Sequence, residues 1–122
     1  MIALYSNPRT YRWLWLLAMT FIVIGSLIPL SIPDEALVPG DKLQHIAAYA
    51  LLGLLAMLAF SSLPLAAIAA VAMVGLGAAI EVVQYFLPWR QFEWLDMAAN
   101  ALGVALGMTM AAFARTRLLR ST

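Results

Sequence analysis

The chain contains no cysteine. Disulfides, thiolate metal sites and cysteine nucleophiles are therefore excluded, and the redox compartment is left open. Charge is also scarce: Asp, Glu, Lys and Arg make up 11% of the 122 residues, against about 25% in a soluble domain. Apolar residues reach 65%, and mean hydropathy is +0.93. Too few polar groups remain to cover a water-facing surface, so lipid must solvate most of the chain. A net charge of +1 leaves no excess for a nucleic-acid partner. No polar stretch is long enough for a second, soluble domain, so residues 1–122 read as one unit.

What is present is four long apolar runs. A span needs about 20 predominantly apolar residues. After a short tail carrying Arg9 and Arg12, the run from Trp13 to Leu30 has no charge and predicts a first helix, closed by Pro29 and Pro33. It reads as an anchor rather than a cleaved leader. Tyr11, Trp13 and Trp15 are expected at headgroup level. An acidic loop follows, with Asp34 and Glu35. Asp41 is a candidate N-cap, with Gln44 three residues on as in a capping box. The second helix is expected over about 42–60, the third over about 64–87 after Ser61-Ser62-Leu63-Pro64, and the fourth over about 95–114. Pro88 stops the third helix, and Trp89, Phe92 and Trp94 supply an interfacial loop. The expected fold is all-α, an integral membrane four-helix bundle. Arg9, Arg12, Arg115, Arg117 and Arg120 fall on one side, so both termini are expected in the cytoplasm.

The polar residues inside these runs share helix faces. Positions three or four apart are neighbours on a helix. The second helix carries Asp41, His45 and Tyr49 in one stripe, continued by Gly53. The third carries Gly77, Glu81 and Gln84. The fourth carries Asp96, Asn100, Gly103 and Gly107, the glycines forming a small-xxx-small contact pattern. Helices two, three and four should meet along these stripes, with the polar ends in one leaflet and Glu81 roughly 9 Å below the end of its helix. The predicted outward pocket comprises Asp41, Lys42, His45, Tyr49, Glu81, Gln84, Arg90, Asp96 and Asn100. Plainer roles exist for several: Asp41 and Asp96 as caps, His45 as a structural hydrogen bonder, Arg90 as a snorkelling anchor, Gln84 and its neighbour Tyr85 as packing, Asn100 as an inter-helix hydrogen bonder. Glu81 resists them most, because intramembrane carboxyls are functional by default.

In order along the chain stand Ser26-Leu27-Ile28-Pro29, Asp41-Lys42-x-x-His45-x-x-x-Tyr49-x-x-x-Gly53, Glu81-x-x-Gln84-x-Phe86-x-Pro88-x-Arg90 and Asp96-x-x-x-Asn100-x-x-Gly103-x-x-x-Gly107. With these pieces the sequence resembles the VanZ-like family of small bacterial membrane proteins. The resemblance implies a cell-envelope role in the bacterial inner membrane, through a family name linked to teicoplanin resistance, without a settled reaction. Three functions are compatible with the residues. The first is binding or modulating a lipid headgroup, a cell-wall lipid intermediate or a glycopeptide, with Lys42 and Arg90 meeting phosphate or carboxylate. The second is an intramembrane enzyme on a lipid-linked phosphate or glycosyl group, with His45, Glu81 and Asp96 as candidate catalytic groups. In a variant those three hold a divalent metal, although no zinc signature is present and no cofactor is expected. The third is a transporter or scramblase component, whose pathway would need a homo-oligomer.

Overall fold

The computed structural model describes residues 7–29 and 40–120, apart from the side chains at 40, 41, 118 and 119. Four helices account for its regular structure: α1 (Pro8–Leu27), α2 (Gly40–Ala59), α3 (Leu63–Tyr85) and α4 (Trp94–Arg120). Each is long and apolar enough to cross a membrane. The expected loop with Asp34 and Glu35, Pro33, and the Asp41 side chain lie outside the described residues.

The helix ends differ from the sequence expectation for local reasons. The first helix starts at Pro8 rather than near Trp13, because the Asn7 side chain accepts from the Arg9 N–H and Pro8 occupies the first turn, where no N–H is needed. It stops at Leu27, with Ile28 already extended ahead of Pro29. The third helix is capped by Ser62, whose hydroxyl accepts from Leu65 N–H. It ends at Tyr85, two residues before the expected Leu87. The fourth runs beyond the expected 114 to Arg120, and its last turn holds Arg117 and Arg120. Cations there complement the negative end of the helix.

Adjacent helices run in opposite directions, so α2 lies parallel to α4 and α1 to α3. The most extensive contact is between α2 and α4. It depends on small residues. A Cβ added at Gly103 would stand 2.5 Å from the Ile46 carbonyl oxygen, and one at Gly107 would overlap the Ala50 carbonyl. Gly53 answers from α2, where a Cβ would meet the Val104 carbonyl oxygen at 2.5 Å. Backbone therefore lies on backbone, as in close-packed membrane helices.

The buried centre consists of Tyr49, Leu52, Ala56, Ala69, Met73 and Val104. Helix α1 contributes no buried residue. It rests on this centre through Trp15, Ala18, Met19 and Ile22. Trp15 was expected in the interfacial belt. Instead it turns inward, donating from Nε1 to Met73 Sδ at 3.1 Å and meeting the Phe60 ring edge-on at 5.4 Å. Trp13, at 72% exposure, faces outward as expected. At the same end of the bundle, Arg12 Nε donates to the Ala59 carbonyl at 3.1 Å, closing the end of α2. Large apolar side chains such as Leu63, Ile68 and Val71 are exposed on the outside of the bundle, as a lipid-facing surface requires.

The glycine contact makes a direct test. Gly107→Leu should lower stability by about 1–3 kcal/mol or more, because the backbone of α2 cannot give way as a side chain can. Gly75→Ala should leave stability unchanged or raise it, since a Cβ at Gly75 meets nothing within 4 Å. Thermal unfolding midpoints of the two variants in detergent check this.

Candidate functional site

The antiparallel arrangement brings the starts of α2 and α4 to the same end as the finishes of α1 and α3. Every polar stripe therefore delivers its charged members to one place. A cavity of about 220 Å³ opens there. Its polar walls are Ser26, Gln44, His45, Tyr49, Glu81, Gln84, Arg90 and Asn100, with Ile22, Gly25, Ala48, Gly77 and Ile80 between them.

Glu81 is the centre of the site. Its side chain is 1% exposed and is among the three largest that are fully buried. Four residues separate it from the end of α3, so it lies about 6 Å deep, shallower than the 9 Å expected from a longer helix. Its carboxyl accepts the Glu93 backbone N–H at 3.1 Å. Asp96, His45 and Tyr49 all act on it electrostatically.

The imidazole of His45 lies between Asn100 and Asp96. Nδ1 meets Asn100 Oδ1 at 3.0 Å, and Nε2 stands 3.7 Å from Asp96 Oδ2. Asn100 and Asp96 are themselves buried, at 3% and 7% exposure. Lys42 bridges Glu93 and Asp96, tying the first turn of α2 to the start of α4. Asp96 sits in that first turn of α4, where the positive helix end favours a carboxylate. Tyr49 brings its hydroxyl against Gly77 from one side and Asn100 brings its amide from the other. A Cβ at Gly77 would stand 2.9 Å and 2.8 Å from them. Gly77 is therefore what lets α2, α3 and α4 bring polar groups into one space.

Arg90 and Gln84 line the cavity but also hold α1. Arg90 Nη2 donates to the Gly25 and Ile28 carbonyls at 2.9 and 3.2 Å. Gln84 Nε2 donates to the Ser26 carbonyl at 2.7 Å, and Trp89 Nε1 to the Leu27 carbonyl at 3.1 Å. Four carbonyls at the end of α1 would otherwise lack partners, and the last turn of α3 together with the α3–α4 connection supplies donors to all of them. Arg90 Nε is buried and has no acceptor among the described residues.

Of the predicted pocket residues, the structure brings together Lys42, His45, Tyr49, Glu81, Gln84, Arg90, Asp96 and Asn100. Lys42 and Asp96 stand behind the wall and not in it. Tyr85 points away, 69% exposed, with its ring edge-on to Phe86 and Phe92. The pocket was expected on helices two to four alone, and α1 adds a fourth wall through Ile22, Gly25 and Ser26. Glu93 was not anticipated as a site residue. Its signal was the need of Lys42 for an acid on the same side, which Glu93 meets three residues before Asp96. Gln44 was read only as a capping partner and proves to line the cavity. Among the described residues no group of three His, Cys, Asp or Glu side chains is placed to hold a metal ion, so the metal variant built on His45, Glu81 and Asp96 finds no ligand set.

Four apolar, membrane-capable helices with a polar cavity at one end mark a multi-pass membrane protein. The chain belongs to the VanZ/LLP1 family, whose model matches residues 3–115. No curated protein and no solved structure matches the chain.

The cap on α1 has a measurable consequence. Arg90→Gln should loosen the last turn of α1, since hydrogen bonds from a charged donor contribute about 1.5–3 kcal/mol. Amide hydrogen exchange at Ile24–Ile28 should then quicken about tenfold or more, while Arg117→Gln leaves those amides unchanged.

Proposed function

We propose that the protein is a binding or modulating component of the bacterial cell envelope, seated in the inner membrane, whose cavity receives the polar head of a lipid, a cell-wall lipid intermediate or a glycopeptide. The observation that carries this reading is the cavity itself, where hydroxyl, carboxamide, imidazole and carboxyl groups from four helices face one space. A bundle held only by packing has no need to bury Glu81, because each intramembrane ionisable group weakens insertion.

Orientation follows from charge. Arg9, Arg12, Arg115, Arg117 and Arg120 belong to the end of the bundle opposite the cavity. The positive-inside rule assigns that end to the cytoplasm and the cavity to the outer face. There it would meet ligands of the outer leaflet, including a glycopeptide such as teicoplanin.

An intramembrane enzyme is the second reading, favoured by His45 standing beside Asp96 and Glu81. Nδ1 of His45 is engaged by Asn100 Oδ1, however, so a proton taken from a substrate would have to enter at Nε2, which stands 3.7 Å from Asp96 Oδ2. Binding ranks first because it needs only the hydrogen-bonding walls of the cavity and no proton transfer. A conduit is disfavoured because Leu52 and Met73, one turn beyond Tyr49 and Gly77, are fully buried and apolar, so the polar stripes do not continue inward there.

Native mass spectrometry of the protein released from its own membranes tests the reading. Wild type should retain a small non-protein ligand. Glu81→Gln and Asn100→Leu should each lower its occupancy about tenfold, the loss expected from one buried hydrogen-bonding partner. Tyr85→Phe, outside the cavity, should retain it. Equal retention in all four proteins, or none in wild type, sinks the proposal.

A further inference from the structure

A second hollow touches the first. Between α1 and α2 runs a groove of about 460 Å³, walled by Leu14, Leu17 and Phe21 on one side and Leu51 and Leu55 on the other. Its lining is wholly apolar. Ile22 and Ala48 belong both to this groove and to the polar cavity, so the two spaces adjoin at those residues. From Leu14 to Ser26 the α1 face passes from apolar to polar, and α2 does the same in reverse from Leu55 to Gln44. The groove covers about 12 Å along α1 at 1.5 Å per residue.

We infer that the site takes one lipid-like amphiphile, with a neutral head of hydroxyl and amide groups in the polar cavity and its hydrocarbon chain along the α1–α2 groove. This rests on the binding function proposed above and narrows its ligand. The head class follows from how the cations are used. Lys42 is spent on Glu93 and Asp96. Arg90 Nη2 is spent on the carbonyls of α1, and the Glu81 carboxyl shares the cavity wall with it. Among the described residues the three carboxyls of Glu81, Glu93 and Asp96 stand against the two cations Lys42 and Arg90, which leaves no surplus positive charge for a phosphate. What remains for a ligand is the inventory of Ser26, Gln44, Tyr49 and Asn100, groups that exchange hydrogen bonds with hydroxyls and amides. The buried Arg90 Nε, lacking an acceptor among the described residues, adds one donor that an uncharged oxygen would satisfy.

The groove has a different role from the cavity. A chain moving from bilayer to groove exchanges one apolar surrounding for another and gains little. The groove therefore selects rather than drives: it holds the chain in line with a head that supplies the affinity.

The test uses photo-reactive lipid in phosphatidylcholine nanodiscs. One preparation contains a galactosyl diacylglycerol with a diazirine on its chain, the other a phosphatidic acid labelled alike. Labelling is read on the α1 peptide spanning Leu14–Phe21 and on the outer face of α3 at Ile68. The galactolipid should label α1 about tenfold above Ile68, the ratio that about 1.4 kcal/mol of selectivity gives. Asn100→Leu, which spoils the head site, and Ala48→Trp, which fills the junction, should each bring α1 down to the Ile68 level. Ile22→Trp repeats the junction test from the other wall, and only variants with wild-type thermal midpoints are compared. Phosphatidic acid should label both faces alike.

Equal galactolipid labelling at α1 and Ile68, or α1 labelling indifferent to Asn100→Leu, would mean ordinary boundary lipid and overturns the inference. Phosphatidic acid preferring α1 overturns the neutral head. If wild type retains a ligand that Glu81→Gln loses while α1 labelling stays flat, the binding function survives and the groove does not. If no ligand is retained and labelling is flat, both fall.

Discussion

The close backbone approach of α2 to α4 is the constraint on which the rest depends. Gly103 and Gly107 lie where any Cβ would strike the carbonyls of Ile46 and Ala50. In lipid there is no hydrophobic gain from pairing two helices, so association comes from contact and polar bonds. The pairing is parallel, as follows for two spans with one antiparallel helix between them. It sets the first turns of both helices side by side. His45 can then reach Asn100, and Lys42 can reach Asp96. An antiparallel pair with the same glycine contact would have sent these groups to opposite faces of the membrane.

Once those polar turns are adjacent, their partners must come from α1, α3 and the loop between α3 and α4. The loop does this twice over. Glu93 offers its backbone N–H to Glu81 and its carboxylate to Lys42. Arg90 and Trp89 turn the other way and cap α1. Helix α1 buries nothing of its own and is fixed at its ends instead, by Arg12 on the Ala59 carbonyl and by the α3–α4 donors on Gly25 to Ile28. Between those ends α1 rests on the core through Trp15, Ala18, Met19 and Ile22, and it borders the apolar groove.

Much of this was legible in the residues because the stripes are periodic. Asp41, His45 and Tyr49 recur every four positions, as do Gly103 and Gly107, and a 3.6-residue repeat turns such spacing into a face. Glu81 stood out because a carboxyl in an apolar run needs a reason. The parts that were not legible involve α1. Nothing in its composition announces that Ser26 and Gly25 close a cavity, since they take part through backbone carbonyls and small size. Trp15 looked like a belt residue because its neighbour Trp13 is one, and two positions on a helix point to different sides. The start of α1 at Pro8 was written in Asn7-Pro8, a capping pair that the charge of Arg9 and Arg12 obscured. Arg90 shows the limit most clearly: an arginine near a membrane interface is visible in sequence, but whether it faces a ligand or a helix end depends on where α1 stops.

The depth of Glu81 links these features to function. An ionisable group at the bilayer centre costs about 2.5–3.5 kcal/mol on insertion scales, and less near the interface. At about 6 Å below the end of α3, Glu81 is shallow enough to be tolerated and deep enough to be fully enclosed. One turn further in, the packing is apolar, with Leu52 and Met73 at 1% and 0% exposure. A pathway for polar solutes would need carboxyls or amides to continue past these residues, and none of the three stripes does so. A purely structural cluster would need no volume at its centre, yet the cavity is about 220 Å³ and walled by groups with hydrogen-bonding capacity to spare. Polar within and adjoining an apolar groove at Ile22 and Ala48, the site sets a hydrogen-bonding space directly beside a hydrocarbon-like one.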